Sequence, residues 1–154
     1  MNPTTDCVFK IFKELNQIPR PSHHEERVAE YLCQFAEQLC LPYKRDSENC
    51  VVISKPATPG HEGAEPIVLL NHMDMVCVGM NDPLNTPIEA YIENGWMKAR
   101  GTSLGADNGI GLSMALAVLG SNDNNRSCWC MSAVPSHSYN ASTCPLRHLV
   151  RHSH

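Results

Sequence analysis

The chain has 154 residues, 42% of them hydrophobic and 18% charged, with a formal net charge of -4. That length and apolar content suffice for one compact domain with its own core and exclude a chain disordered throughout. The acidic balance, with a sequence pI near 6.0, leaves no basic footprint for nucleic acid or an anionic membrane surface, so a small molecule or peptide is the partner class that fits.

The opening segment breaks its apolar residues with Asp6, Lys10 and Lys13 and so lacks the apolar core of a secretory signal. No stretch approaches the about 18 apolar residues of a membrane span, and a cytoplasmic location is the expectation. Val8, Ile11, Phe12, Leu15 and Ile18 recur at helical spacing, which predicts an amphipathic helix ending before Pro19 and Pro21. Ser22 with Glu25 makes a capping-box pattern for a second helix, whose apolar line runs through Val28, Tyr31, Leu32, Phe35 and Leu39 up to Pro42. Both helices are expected to pack on a sheet. Of the eight cysteines, Cys7, Cys33, Cys40, Cys50 and Cys77 are spread through apolar patterns without framework spacing, and they read as reduced, mostly buried thiols.

Short apolar runs over 50–54 and 67–70 suit buried strands, separated by the loop KPATPGHEGAEP. The second run leads into NHMDMV, which puts His72 at the C-terminal end of a strand, the edge where open α/β sheets bind ligands. Asp74, two residues on in an extended segment, faces the same side. Residues 88–92, then Glu93-Asn94-Gly95, then 96–99 read as a β-hairpin, because Asn-Gly accepts the positive φ angles of a tight turn. The glycine-rich GTSLGADNGIG then carries Asp107 into an apolar helix over 108–119.

Imidazole and carboxylate at the ends of strands and in loops are donor types for zinc and similar metals. A carboxylate near a histidine also orients the ring through its second nitrogen, and Asp74 is close enough to His72 to do so. Taken singly, each residue has a plainer reading. His72 suits a hydrogen-bonded histidine at a strand end, Asp74 a turn, and Asp107 with Asn108 a helix N-cap. Gly105, Gly109 and Gly111 suggest a phosphate loop, but the spacing is not GxGxxG and no Gly-Lys-Ser/Thr follows.

Beyond Leu119 the composition turns to serine, cysteine and histidine, Asp123 is the one acid, and no periodicity is visible. Two parts are therefore expected: a domain portion over 1–119 and an unrelated, poorly ordered tail over 120–154. A reading-frame change in the coding sequence would produce such a break; an intact frame in the source DNA would sink that explanation. Cys128, Cys130, Cys144, His148, His152 and His154 are zinc-ligand types, but Cys-x-Cys is not finger spacing, and adventitious metal binding is the expectation for them.

The opening IPRPSHHEERVAEYL, then NHMDMV, then the hairpin with NGWMKARGTSLGADNGIG resemble, in that order, the N-terminal part of the aminoacyl-histidine dipeptidases, over residues 5–119. These are bacterial cytosolic members of the co-catalytic zinc peptidase and amidohydrolase family. The resemblance implies an α/β fold, an incomplete zinc-peptidase catalytic domain with helices packed on a mixed sheet. It implies a dinuclear Zn2+ site in which His72 is a ligand of one zinc, Asp107 bridges both, and Asp74 is the catalytic-site acid supporting His72. The implied reaction is hydrolysis of Xaa-His and other dipeptides, with a glutamate of a Glu-Glu pair as general base and then acid. Yet no glutamate occurs after Glu93. The family's later acidic ligand, distal histidine ligand and second domain also have no counterpart here. The expectation is a truncated, inactive metallo-dipeptidase; the alternative is a non-catalytic fragment that binds metal weakly or associates with itself.

Overall fold

The computed structural model describes residues 5–121 and 129–136. Helix α1 (Thr5–Leu15) buries Ile11, Phe12 and Leu15, the inner members of the line seen in the sequence. Helix α2 (Glu26–Gln38) buries Val28, Ala29, Leu32, Cys33 and Ala36. It begins later than the capping-box pattern predicts, and no side-chain cap bond forms at its start. Glu25 instead accepts the backbone N–H of His23 at 2.8 Å, and Ser22 is engaged elsewhere.

The strands are β1 (Tyr43–Arg45), β2 (Val51–Lys55), β3 (Ile67–His72), β4 (Ala90–Glu93) and β5 (Trp96–Ala99). Helix α3 (Ala106–Gly120) and β6 (Trp129–Val134) complete the described elements. Strands β4 and β5 form the expected hairpin, with both turn residues at positive φ, Asn94 at 52° and Gly95 at 79°. The other four make one mixed sheet in the order β1-β2-β6-β3.

Strand β6 corrects the sequence reading, which leaves its residues in an irregular tail. It lies inside the sheet, antiparallel to β2 with Ile53 opposite Met131, and parallel to β3 with Leu69 opposite Met131. The reason it escaped is physical: Cys130, Met131, Ser132, Ala133 and Val134 are all at most 3% exposed. A strand buried on both faces carries no polar–apolar alternation to read. The reverse correction applies to β3, expected to be buried. Among the described residues it is an edge strand, and Ile67, Val68 and Leu70 are each exposed at about two fifths of their surface.

Side-chain alternation sets the two faces of the sheet. Val51, Ile53, Leu69, Met131 and Ala133 share the face covered by Ile11 and Leu15 of α1, Val28 and Leu32 of α2, and Leu112 and Leu116 of α3. His72, in register with Val134, falls on the other face at the C-terminal ends of the parallel pair. Among the described residues, no helix is long and apolar enough to cross a membrane. Cys33, Cys40 and Cys77 are free thiols, but of the three only Cys33 is buried; Cys40 is exposed and Cys77 half-buried, against the expectation of mostly buried thiols.

If β6 is a core strand, Met131→Ala should cost about 2–5 kcal/mol, the usual range for emptying a buried methionine site. Urea denaturation measures this; an unchanged midpoint would mean that β6 does not stand in the sheet.

Candidate functional site

His72 is the last residue of β3, and the pairing runs one residue further, with the Met73 amide donating to the Val134 carbonyl at 3.1 Å. The imidazole is thereby held at the end of the parallel pair. Its Nδ1 lies 3.1 Å from the backbone oxygen of Asp74 and 3.5 Å from Asp74 Oδ1. Its Nε2 lies 3.1 Å from Asp107 Oδ1. Both ring nitrogens therefore face oxygen acceptors. Nε2 of His72 and the Asp107 carboxylate form a two-donor corner.

Asp107 reaches this corner because the backbone is irregular where α3 starts. Asp107 (φ -94°, ψ 108°) and Asn108 (φ -107°, ψ 34°) are non-helical, so the regular helix begins at Gly109. Asp107 makes no cap bond, contrary to the N-cap reading; its side chain is 96% exposed and turned to solvent beside His72. Asn108 donates from Nδ2 to Asn71 Oδ1 at 3.1 Å, tying the start of α3 to the end of β3.

Asp74 has the opposite surroundings, with 1% of its surface exposed. Its carboxylate accepts from Ser22 Oγ at 2.6 Å, from the Ser136 backbone N–H at 2.7 Å and from Ser136 Oγ at 2.5 Å. Burial pushes this carboxyl up, but the hydrogen bonds from Ser136 and Ser22 together outweigh it and hold the group below the usual carboxylate range. Asp74 is turned inward, toward the serines and the back of His72. It is no solvent-exposed turn residue.

The linker between α1 and α2 delivers Ser22. Arg20 accepts the Met75 amide at 3.0 Å and Ser22 donates its own amide to Met75 at 3.3 Å, so Pro21 and Met75 pair as a short parallel bridge. Sequence reading missed Ser22, Ser136, Asn71 and Arg20 as members of this site. Ser22 was hidden by a plausible capping motif, and Ser136 by a stretch without pattern. The structure brings His72, Asp74 and Asp107 together. Among the described residues it gathers no group of three or more His, Cys, Asp or Glu side chains able to hold a metal. His72 and Asp107 suit a zinc-type ion as two of its donors. Of the tail residues considered as ligands, Cys130 is buried in β6, and the others lie outside the described residues.

No family model matches the chain. Over 116 residues it is 47% identical to the cytosol non-specific dipeptidase of Escherichia coli (strain K12), taking in 73% of this chain and 24% of that protein. The crystal structure of aminoacylhistidine dipeptidase from Vibrio alginolyticus matches with a TM-score of 0.81 at 35% identity, over 89% of this chain and 29% of that one. By sequence and fold the chain is similar to one segment of the aminoacylhistidine dipeptidases. It spans about a quarter of the length of the curated relative. A dinuclear metal binding peptidase of the M20 family from Bacillus subtilis shares the fold at a TM-score of 0.50 and 11% identity, over 84% of this chain and 35% of that one.

The lowered Asp74 pKa fixes the sign of a pH effect on this dipeptidase-like domain. A carboxylate held below its unfolded value contributes stability that is complete above about pH 4 and is lost as pH falls through the folded-state value. The stability gap between the wild-type chain and Asp74→Asn should stay constant from neutral pH down to about pH 4 and shrink below it. Ser22→Ala should cost about 1.5–3 kcal/mol, the range for a hydrogen bond to a charged group. Urea titrations at a series of pH values check both, and a gap that widens in acid would contradict the assignment.

Proposed function

We propose that the chain is part of the catalytic domain of a metallo-dipeptidase and carries one corner of a dinuclear zinc site. In this reading His72 and Asp107 would hold the metal, and Asp74 would orient His72 from behind. The observation that carries it is the 3.1 Å approach of Asp107 Oδ1 to His72 Nε2, two metal-donor atoms converging at the C-terminal edge of a parallel strand pair. The buried, hydrogen-bonded Asp74 supports it, since ligating histidines are commonly oriented by a carboxylate or a carbonyl on the far nitrogen. The names of the relatives add the substrate class: dipeptides, Xaa-His among them, in the cytoplasm.

When bound, a zinc ion supplies Lewis acidity toward a peptide carbonyl oxygen. The described residues His72, Asp74 and Asp107 hold and orient, and the sequence carries no glutamate after Glu93. On this reading the chain alone binds metal weakly and shows no turnover. The exposed apolar edge of β3, continued by Val76 and Val78, favours self-association in the same state. The break in composition after Leu119 does not end the fold, since β6 lies beyond it inside the sheet.

Purified chain with added zinc is expected to hydrolyse neither Gly-His nor β-alanyl-histidine above a metal-free blank. Elemental analysis after dialysis should find less than one zinc per chain, and His72→Ala should abolish what there is. Two tightly held zinc ions per chain, or clear turnover, would overturn this reading.

A further inference from the structure

The glycines around Asp107, which fit no phosphate loop, meet a single side chain from the linker before α2. Arg20 is 1% exposed, and its Nη2 donates to the Gly105 carbonyl at 3.0 Å. A Cβ built on Gly105 would stand 2.8 Å from that nitrogen and 2.7 Å from Met75 Sδ. A Cβ on Gly109 would stand 2.8 Å from the same nitrogen and 2.7 Å from Phe12 Cε2. Real Cβ atoms do not approach so closely, so the two glycines form the walls of a slot shaped for a guanidinium. The main chain of Arg20 meanwhile accepts the Met75 amide at 3.0 Å. One residue is thus fastened through its backbone to the segment that carries Asp74 and through its side chain to the loop that carries Asp107.

This arrangement is costly for the fold. Burial brings the Arg20 guanidinium down to about 10, which leaves it charged at neutral pH. Its Nε and Nη1 are buried with no hydrogen-bond partner among the described residues. An unmet buried donor on a charged group destabilises, and an apolar side chain of similar volume fills such a slot at lower cost. Packing alone does not account for an arginine here.

We propose that Arg20 is a positioning residue: wedged between Gly105 and Gly109, it fixes the Asp107 loop against the His72–Asp74 strand end and so sets the His72–Asp107 spacing. Its functional meaning rests on His72 and Asp107 acting as one donor pair, but the claim about the loop stands apart from any metal. The natural reporter is the amide of Gly109, which donates at 3.1 Å to the same Gly105 carbonyl that Arg20 holds. The Met75 amide reports the other end.

Hydrogen exchange followed residue by residue on the full chain tests this in wild type, Arg20→Lys and Arg20→Met. The Gly109 amide should exchange about tenfold faster or more in Arg20→Met, with Arg20→Lys intermediate, while amides of β2 and the middle of α2 keep their wild-type rates. Gly109→Ala closes the slot from its other wall and should loosen the same loop with Arg20 intact, so it carries the test if Arg20→Met does not fold. Unchanged loop protection overturns the proposal. So does equal loosening of every element, or loss of the whole fold in all three variants, since Arg20 would then be a general member of the core. A chain that binds no zinc but loses loop protection would sink the metal reading and leave this one intact.

Discussion

The carboxylate of Asp74 is the point on which the site depends. It is buried and ionised, a state tolerable only when its lone pairs are filled by donors in fixed places. Those donors come from Ser22 on the linker between the first two helices and Ser136 just past the last described strand, while Asp74 follows β3. Three stretches far apart in sequence must therefore arrive together before the charge is accommodated. The same geometry presses Asp74 against the inner nitrogen of His72 and leaves the outer nitrogen to Asp107. Charge satisfaction inside the protein and ligand orientation at its surface are one arrangement seen from two sides.

The sheet supplies the rest. Placing β3 and β6 side by side and parallel brings two C-terminal strand ends to one edge, with His72 and Val134 in register. Loops leaving such an edge are where α/β folds build sites. What forms here is a corner of a site rather than a cage. Its two donors differ sharply in exposure, with the His72 side chain at 30% and that of Asp107 at 96%. Water competes freely at such a corner, and charges so exposed bind cations weakly unless further ligands close around them.

Much of this was legible in the sequence. The helical lines of α1 and α2, the Asn94-Gly95 hairpin and the motifs bearing His72, Asp74 and Asp107 all carry local signals, and local signals are what a sequence displays. The residues that escaped have partners distant in the chain. Ser22 satisfies the composition of a helix cap, and only the approach of Asp74 from 52 residues away shows where its hydroxyl goes. Arg20 looks like a charged linker residue between two prolines, and its burial depends on a slot that Gly105 and Gly109 open 85 or more residues later. The residues of β6 show no alternation because both faces are covered, so the pattern that reveals a half-buried strand is missing from the most buried one.

The place of β6 also imposes an order of events. The sheet runs β1-β2-β6-β3, so its middle strand is the last of the described elements to be synthesised. Until residues 129–134 leave the ribosome, β2 and β3 have no neighbour between them, and both present open backbone edges and apolar side chains to the surrounding solution. Every pairing that closes the sheet spans a long loop, which makes closure slow relative to helix formation. The nascent chain must pass through a stage with three helices able to form and a divided sheet, the stage at which molecular chaperones have most to bind.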